Sequence, residues 1–403
     1  RTMIIRKGFV FRLKPNSETE SVIRRTAGCC RFVWNQALAV QKARLDRGER
    51  VQSYDAMCDA LLLWKCDPAT AFLSEVHSQP LQQKLKDLRR AFDDFFDPAQ
   101  PLKEFPVFKK KNRGGDSFRY PQGIKIDNRR VYLPKIRWVR FYKSREVEGE
   151  IKNVTVRLRA GKWYASIQTE RDVPDPIERR DPVVGGDLGI ARFLTLSDGT
   201  MFKPLNSCCT LEEKLAKEQR QLSRKVKGSN NWTKQKGKIG RLHTTIADAR
   251  HDHLHKVSTT IAKTHGVVVL EDLAVKNMSA SAKGTIEQPG RKVRQKAGLN
   301  KSILDQGWSE FRWMLGYKLA WSGGKLILVD PRNTSRTCSV CGFVMSKLPL
   351  SVREWTCSDC GARHDRDLNA SQNIEAAGHA VLACESSPIV GRKQEPLEAS
   401  HGL

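Results

Sequence analysis

Two Cys-x-x-Cys pairs constrain the fold more than any other feature of this chain. Cys338-Ser339-Val340-Cys341 and Cys357-Ser358-Asp359-Cys360 lie 15 residues apart. A tight turn in each pair points two thiolates the same way, and two such turns close a tetrahedral site around one Zn²⁺. Gly342 and Gly361 follow the pairs, where such turns need a positive φ. Four sulfurs leave no open coordination position, so the metal is expected to be structural. The other seven of the 11 cysteines (Cys29, Cys30, Cys58, Cys66, Cys208, Cys209, Cys384) show no ligand spacing and read as free thiols in a reducing compartment.

Charge narrows the partner class. Over 403 residues, 71 Lys and Arg stand against 44 Asp and Glu, a formal net charge of +27. A polyanion is the natural counterpart, and nucleic acid gains affinity from each neutralised phosphate through counterion release. Hydrophobic residues at 39% are enough for a sizeable core. No apolar run of 18 residues or more exists, so a membrane-spanning helix is excluded. The first residues have no long apolar stretch of the secretory kind. A cytoplasmic, prokaryotic protein acting at the nucleoid is expected.

Pattern along the chain gives an organisation. Residues 1–15 read as a strand ended by Pro15. Helical apolar spacing marks 17–47, about 52–65 and about 79–96. Lys109, Lys110, Lys111 and Arg113 follow Phe105-Pro106-Val107-Phe108, and cations interleaved with rings suit a nucleic-acid surface. Residues 124–170 alternate as short strands, and 171–182 read as a linker. From Val183 the pattern is α/β, with buried strands at 183–190 and 267–270. A helical stretch over 211–264 carries ten cations against Glu218 alone between Lys214 and Arg241. Arg224, Lys225, Lys227, Lys234, Lys236 and Lys238 are its candidate phosphate contacts. Residues 276–304 read as a mobile loop, 308–321 as a helix, 325–329 as a strand, and 365–377 as the start of a helix. His251, His253 and His255 are expected on different faces of one helix, in solvent or ion-pair roles.

Three carboxylates stand out. Asp187 lies in an apolar strand between glycines, Glu271 closes a Val/Leu run, and Asp367 sits at a helix start. A buried lone carboxylate is costly unless paired with a cation or metal. Converging hard oxygen ligands suit Mg²⁺ or Mn²⁺, and two such ions would bind the attacking water and the leaving 3′ oxygen of a phosphodiester.

Together these residues resemble a known family. Gly186-Asp187-Leu188-Gly189-Ile190, Leu270-Glu271-Asp272-Leu273 and His364-Asp365-Arg366-Asp367-Leu368-Asn369-Ala370 resemble the three RuvC-type motifs of TnpB proteins. Asn333-Thr334-Ser335-Arg336-Thr337-Cys338 with the cysteine pairs resembles their zinc segment. Arg12-Leu13-Lys14-Pro15, Arg31-Phe32-Val33-Trp34-Asn35 and Phe105-Pro106-Val107-Phe108-Lys109 resemble their amino-terminal patterns. The ordered combination spans about residues 4–378. Gly186 departs from the larger apolar residue common there, at little expected cost.

The resemblance implies a transposon-encoded, RNA-guided double-stranded DNA endonuclease related to the type V CRISPR effectors. The fold it implies is multidomain α+β. A β-barrel wedge domain (1–16 and 97–180) would carry a helical recognition insertion (17–96). An RNase H-like RuvC nuclease (181–334 and 363–380) would carry a zinc ribbon (335–362), with a flexible tail over 381–403. By motif position Asp187, Glu271 and Asp367 are the implied catalytic and Mg²⁺-binding residues, and Cys338, Cys341, Cys357 and Cys360 the zinc ligands. The implied partners are a guide RNA from the transposon end and target DNA, bound by a monomer that recognises a short target-adjacent motif. The rival readings are a guided DNA-binding repressor that does not cut, and a protein-only transposase or resolvase.

Overall fold

A computed structural model describes residues 2–111, 116–285, 287–349 and 351–386. The chain divides into two compact units, Arg1–Pro174 and Asp175–Leu403.

The first unit opens with a long strand, β1 (Thr2–Lys14), and three helices: α1 (Ser17–Asp46), α2 (Tyr54–Cys66) and α3 (Ser78–Phe96). Asn16 caps α1 by accepting the Thr19 N–H at 2.8 Å, and Ser53 caps α2 by accepting that of Ala56 at 3.2 Å. Six strands follow: β2 (Ser117–Tyr120), β3 (Lys125–Asp127), β4 (Arg130–Leu133), β5 (Arg137–Phe141), β6 (Glu150–Arg159) and β7 (Lys162–Pro174). They form an antiparallel sheet with the order β2-β6-β7-β1-β5-β4-β3. β1 pairs with β7 along Thr2–Arg12 and then with β5 at Leu13 and Lys14, so one strand serves two ladders.

The ladder does not close into a barrel. β2 and β3 end it, and α1 and α3 pack against β2. Sheet and helices share one core, in which Phe9, Phe11, Phe118 and Tyr120 meet Ile23, Leu38, Leu85 and Phe92.

The second unit is built on a five-stranded sheet with the order β10-β9-β8-β11-β12. Its elements, in sequence, are β8 (Val183–Leu188), β9 (Leu194–Leu196), β10 (Met201–Phe202), α4 (Ser207–Ser223), α5 (Asn230–Thr264), β11 (Val267–Glu271), α6 (Val275–Met278), α7 (Val293–Gln306), α8 (Trp308–Trp321) and β12 (Lys325–Val329). A small hairpin of β13 (Glu354–Thr356) and β14 (Arg363–Asp365) follows, then α9 (Arg366–Ser386). β8 to β10 are antiparallel neighbours, whereas β11 runs parallel to both β8 and β12.

Val267-Val268-Val269-Leu270 is buried on both faces, as a central parallel strand requires. Val268 and Leu270 meet α5 and α8 on one side, and Val267 and Val269 meet Ile374 of α9 on the other. Glycine permits the α9 contact. A Cβ on Gly185 would lie 2.1 Å from the Ser371 carbonyl oxygen, and one on Gly378 2.2 Å from Val269. Gly186 has a packing reason too, since its Cβ would meet Leu270 and Leu194 at 2.8 and 2.9 Å. Leucines from neighbouring strands occupy the room a larger residue would take there.

Besides the barrel, two sequence expectations need correction. Residues 276–304 are not a loop throughout, because α7 occupies Val293–Gln306. Its Lys, Gln, Arg, Ala and Leu are good helix formers, and Asp305, buried, holds Arg250 at 2.5 Å. The three histidines do not all diverge. His251 and His255, one turn apart, meet with ring centroids 4.4 Å apart, while His253 packs on Phe193 at 5.3 Å.

Candidate active site and metal centre

Register brings two carboxylates together at the carboxyl ends of adjacent parallel strands. Gly186 of β8 faces Leu270 of β11, so Asp187 and Glu271 each lie one step further along. Asp367 comes from the first turn of α9, the helix that packs on these strands. Asp187 has its carboxyl pushed up to about 8. Burial is the main cause, the negative charges of Glu271 and Asp367 add to it, and Arg366 and Arg353 oppose it. Glu271, 8% exposed, is also raised by burial, while the Thr334 hydroxyl, donating to its Oε1 at 2.6 Å, favours the ionised form. The three acids are close enough for the charges of Glu271 and Asp367 to act on Asp187. Among the described residues, the cysteine quartet is the only group of three or more His, Cys, Asp or Glu with ligand atoms all within 4.8 Å.

Cations surround the third acid. Arg192, in the turn after β8, donates to both Asp365 oxygens at 2.9 Å and reaches Asp367 at 3.6 Å. Arg353, next to β13, lies 3.4 Å from Asp367. Asp365 also accepts the N–H groups of Asp367 and Leu368 at 3.1 and 3.0 Å, which caps α9. Asp365 and Asp367 thus have distinct tasks: one holds the helix start, and the other faces the acids of the sheet.

The cysteines meet the requirements of a zinc centre. The Sγ atoms of Cys338 and Cys360 are 3.7 Å apart, and those of Cys341 and Cys357 3.6 Å. A tetrahedron with Zn–S bonds of about 2.3 Å has edges of about 3.8 Å. Gly342 and Gly361 adopt φ of 79° and 75°, and their N–H groups bond back to the Cys338 and Cys357 carbonyls at 2.9 and 3.0 Å. His364 Nε2 lies 3.1 Å from Cys338 Sγ, the placement of a group that donates to a ligand thiolate.

This ribbon is tied to the acids. Asn369 and Asn373 of α9 donate to the Thr337 carbonyl, each at 2.7 Å, and Asn369 accepts the Ser339 N–H at 2.9 Å.

The basic candidates divide. Lys109 is not free: its ammonium sits 3.4 Å from the centre of the Trp34 ring, and Asn35 brackets its backbone at 2.7 and 2.9 Å. Burial first, and then Lys84, push the Lys109 ammonium down to about 8. Lys110 and Lys111 are exposed, and Arg113 lies outside the described residues. Arg224, Lys227, Lys234, Lys236 and Lys238 are exposed on the α4–α5 hairpin, and Lys225 is half-buried. Gln235 joins the two helices through the Glu218 carboxylate at 2.6 Å.

Sequence reasoning missed Arg192, Arg353 and Thr334 as neighbours of the acids. Thr334 stood in a recognised motif, but only the fold brings it to Glu271.

Comparison with known proteins agrees with this arrangement. A family model described as OrfB_IS605, "Probable transposase", matches residues 166–282, and a Cas12f1-like TNB domain model matches 308–374. InsQ of Escherichia coli (strain K12), whose name assigns it provisionally to the RNA-guided DNA endonucleases, is 50% identical over 97% of this chain and 98% of its own. The CRISPR-associated endodeoxyribonuclease Cas12f1 of Sulfoacidibacillus thermotolerans is 25% identical over 57% of this chain and 53% of its own. In fold, the chain is similar to Cas12f1 in a solved Cas12f1-sgRNA-target DNA complex, with a TM-score of 0.50 and 15% identity over 92% of this chain and 99% of that one. Sharing half its residues with InsQ over almost its whole length, the chain belongs to the OrfB/IS605 TnpB family.

Proposed function

We propose that this protein is an RNA-guided endonuclease that cuts double-stranded DNA at Asp187, Glu271 and Asp367. The observation that carries the reading is the convergence of Asp187 and Glu271 at the ends of adjacent parallel strands with Asp367 at the start of α9, where burial first, and then the charges of the other two acids, push the Asp187 carboxyl up to about 8. Uncompensated carboxylates at the ends of buried strands are unfavourable in the protein alone and favourable around a divalent cation. The sheet supports an RNase H-like assignment of the second unit, with three antiparallel strands followed by two parallel to the first. The first unit takes the place of the wedge and recognition domains, with its sheet open.

Asp187, Glu271 and Asp367 would hold Mg²⁺. When bound, the ion would supply an activated water and stabilise the leaving 3′ oxygen. The chain's own residues organise the rest. Thr334 fixes the orientation of Glu271. Arg192 grips Asp365, which caps α9 and so sets the position of Asp367. Arg353 balances Asp367 in the free protein and is placed to meet a phosphate. Zn²⁺ on the four cysteines would hold the ribbon from which Arg353 projects. The exposed cations of α4 and α5 in the second unit, and separately Lys110 and Lys111 in the first, supply phosphate contacts for the guide and target strands.

The test is to express the chain with its native flanking locus, sequence the RNA that purifies with it, and assay cleavage of a matching DNA by wild type and Asp187→Ala. One dominant RNA with a constant scaffold, and Mg²⁺-dependent cleavage lost in the variant, are expected. Tight target binding without cleavage at any Mg²⁺ concentration would favour a repressor. Specific DNA binding without RNA would favour a protein-only transposase or resolvase.

A further inference from the structure

The sheet of the first unit carries a row of cations that strand pairing alone disfavours. Lys14 of β1 directly faces Arg140 of β5, and Arg140 directly faces Arg130 of β4. Like charges facing each other across strands destabilise a sheet. Neighbouring strands lie about 4.8 Å apart, so the three side chains rise from one closely spaced line. All three are exposed. Arg130 is answered by Asp127 and lies 5.3 Å from the centre of the Trp138 ring. Lys14, Arg140 and the adjacent Arg129 have no ion pair with another described residue.

The row borders an open concavity of about 640 Å³, whose wall also includes Arg129 and Tyr142. Arg12 lays its guanidinium 4.0 Å from the centre of the Tyr142 ring. The hydrogen bond from Arg12, with the charges of Arg12, Lys14 and Lys162 behind it, holds the Tyr142 phenol below its ordinary value. The field in this concavity is therefore positive, and an aromatic ring stands at its edge. None of these residues belongs to the basic runs at Lys109–Arg113 or on α4 and α5.

We propose that this concavity is a binding site for the phosphates of a single-stranded nucleic-acid segment, gripped by Lys14, Arg129 and Arg140 with Tyr142 beside a base or sugar. A polyanion turns the facing cations from a destabilising row into a matched one, and the ring adds a sequence-tolerant contact. The inference rests on the nucleic-acid reading above and names one contact surface for it.

The experiment measures binding of labelled oligouridine and oligothymidine of equal length to the full chain across a salt series. The double variant Lys14→Gln/Arg140→Gln is expected to flatten the slope of log K against log salt by about 1.4, and to weaken binding about tenfold at physiological salt. Arg24→Gln/Arg47→Gln removes the same charge from cations paired with Glu20 and Glu49 and is expected to keep the wild-type slope. Lys14→Arg/Arg140→Lys, which keeps the charge, is expected to keep it too. Loss on the ribose probe alone assigns the site to RNA, loss on the deoxyribose probe alone to DNA, and equal loss to the phosphates common to both. Wild type that binds while Lys14→Gln/Arg140→Gln keeps its slope overturns this site alone. Loss of the slope in Lys14→Arg/Arg140→Lys also overturns it. Wild type that binds neither probe overturns the site together with the nucleic-acid reading.

Discussion

Replacing Asp187 with Asn should make the metal-free protein more stable, by an amount that grows as pH rises from about 4 to about 8. A raised carboxyl means the native state holds a proton that the unfolded chain has already lost between about pH 4 and pH 8. The native state therefore loses stability as pH rises through this window. Taken from its ordinary 3.8 to about 8, at about 1.36 kcal/mol per pH unit, the ceiling is roughly 6 kcal/mol. Asp187 keeps part of its surface in solvent, so about half of that, ~3 kcal/mol, is a working figure. In a unit of this size it corresponds to a rise in Tm of roughly 6–12 °C. Thermal melts followed by circular dichroism in EDTA should separate Asp187→Asn from wild type at pH 8.5 and bring the two together only as pH falls to about 4. Adding Mg²⁺ at pH 8.5 should raise the wild type and leave the variant nearly unmoved. An Asp187→Asn protein that melts below wild type at pH 8.5 in EDTA would refute the claim that the acids are held together at the expense of stability.

Other outcomes follow from the same geometry. Arg192→Ala should raise the Mg²⁺ concentration needed for half-maximal cleavage by about 10- to 100-fold, as loss of a group that orients a ligand does; a magnesium titration that superimposes on wild type would contradict this. Thr334→Val removes a hydrogen bond to ionised Glu271, so its carboxyl rises further and the acid limb of the pH–rate profile should move to higher pH, with roughly tenfold slower cleavage below it. Cys357→Ala should lose its zinc, measured by metal analysis, and lower Tm or solubility before any change in chemistry is read; a fully folded, zinc-free variant would show that the ribbon does not need its metal.

Much of the candidate site was legible because its motifs are local. The cysteine spacing marked the ribbon, and the burial of Val267–Leu270 on both faces follows from an unbroken apolar run. The helix at Trp308–Trp321 and the strand at Lys325–Val329 have the bounds their pattern suggests. Long-range pairing was not legible. Arg192 and Asp365 are 173 residues apart in sequence, and only the packing of α9 on β8 joins them. The expected barrel is an open sheet because α1 and α3 pack against β2, a choice no strand pattern records. α7 was hidden by Gly298 and a high cation content, and its buried Ile303 and Asp305 point to tertiary contacts as what holds it. Lys109 looked like a phosphate contact by composition, yet it lies against a tryptophan 75 residues earlier in the chain.

The most direct measurement is a guide exchange. The segment of the co-purified RNA that runs into flanking sequence is replaced by an unrelated one, and Mg²⁺-dependent cleavage is scored on a plasmid carrying both the old and the new match beside the native flanking motif. Cleavage is expected to move to the new site and to vanish in Asp187→Ala, Glu271→Ala and Asp367→Ala. Cleavage that stays at the old site, or that survives removal of these acids, would contradict a guided nuclease built on this carboxylate cluster.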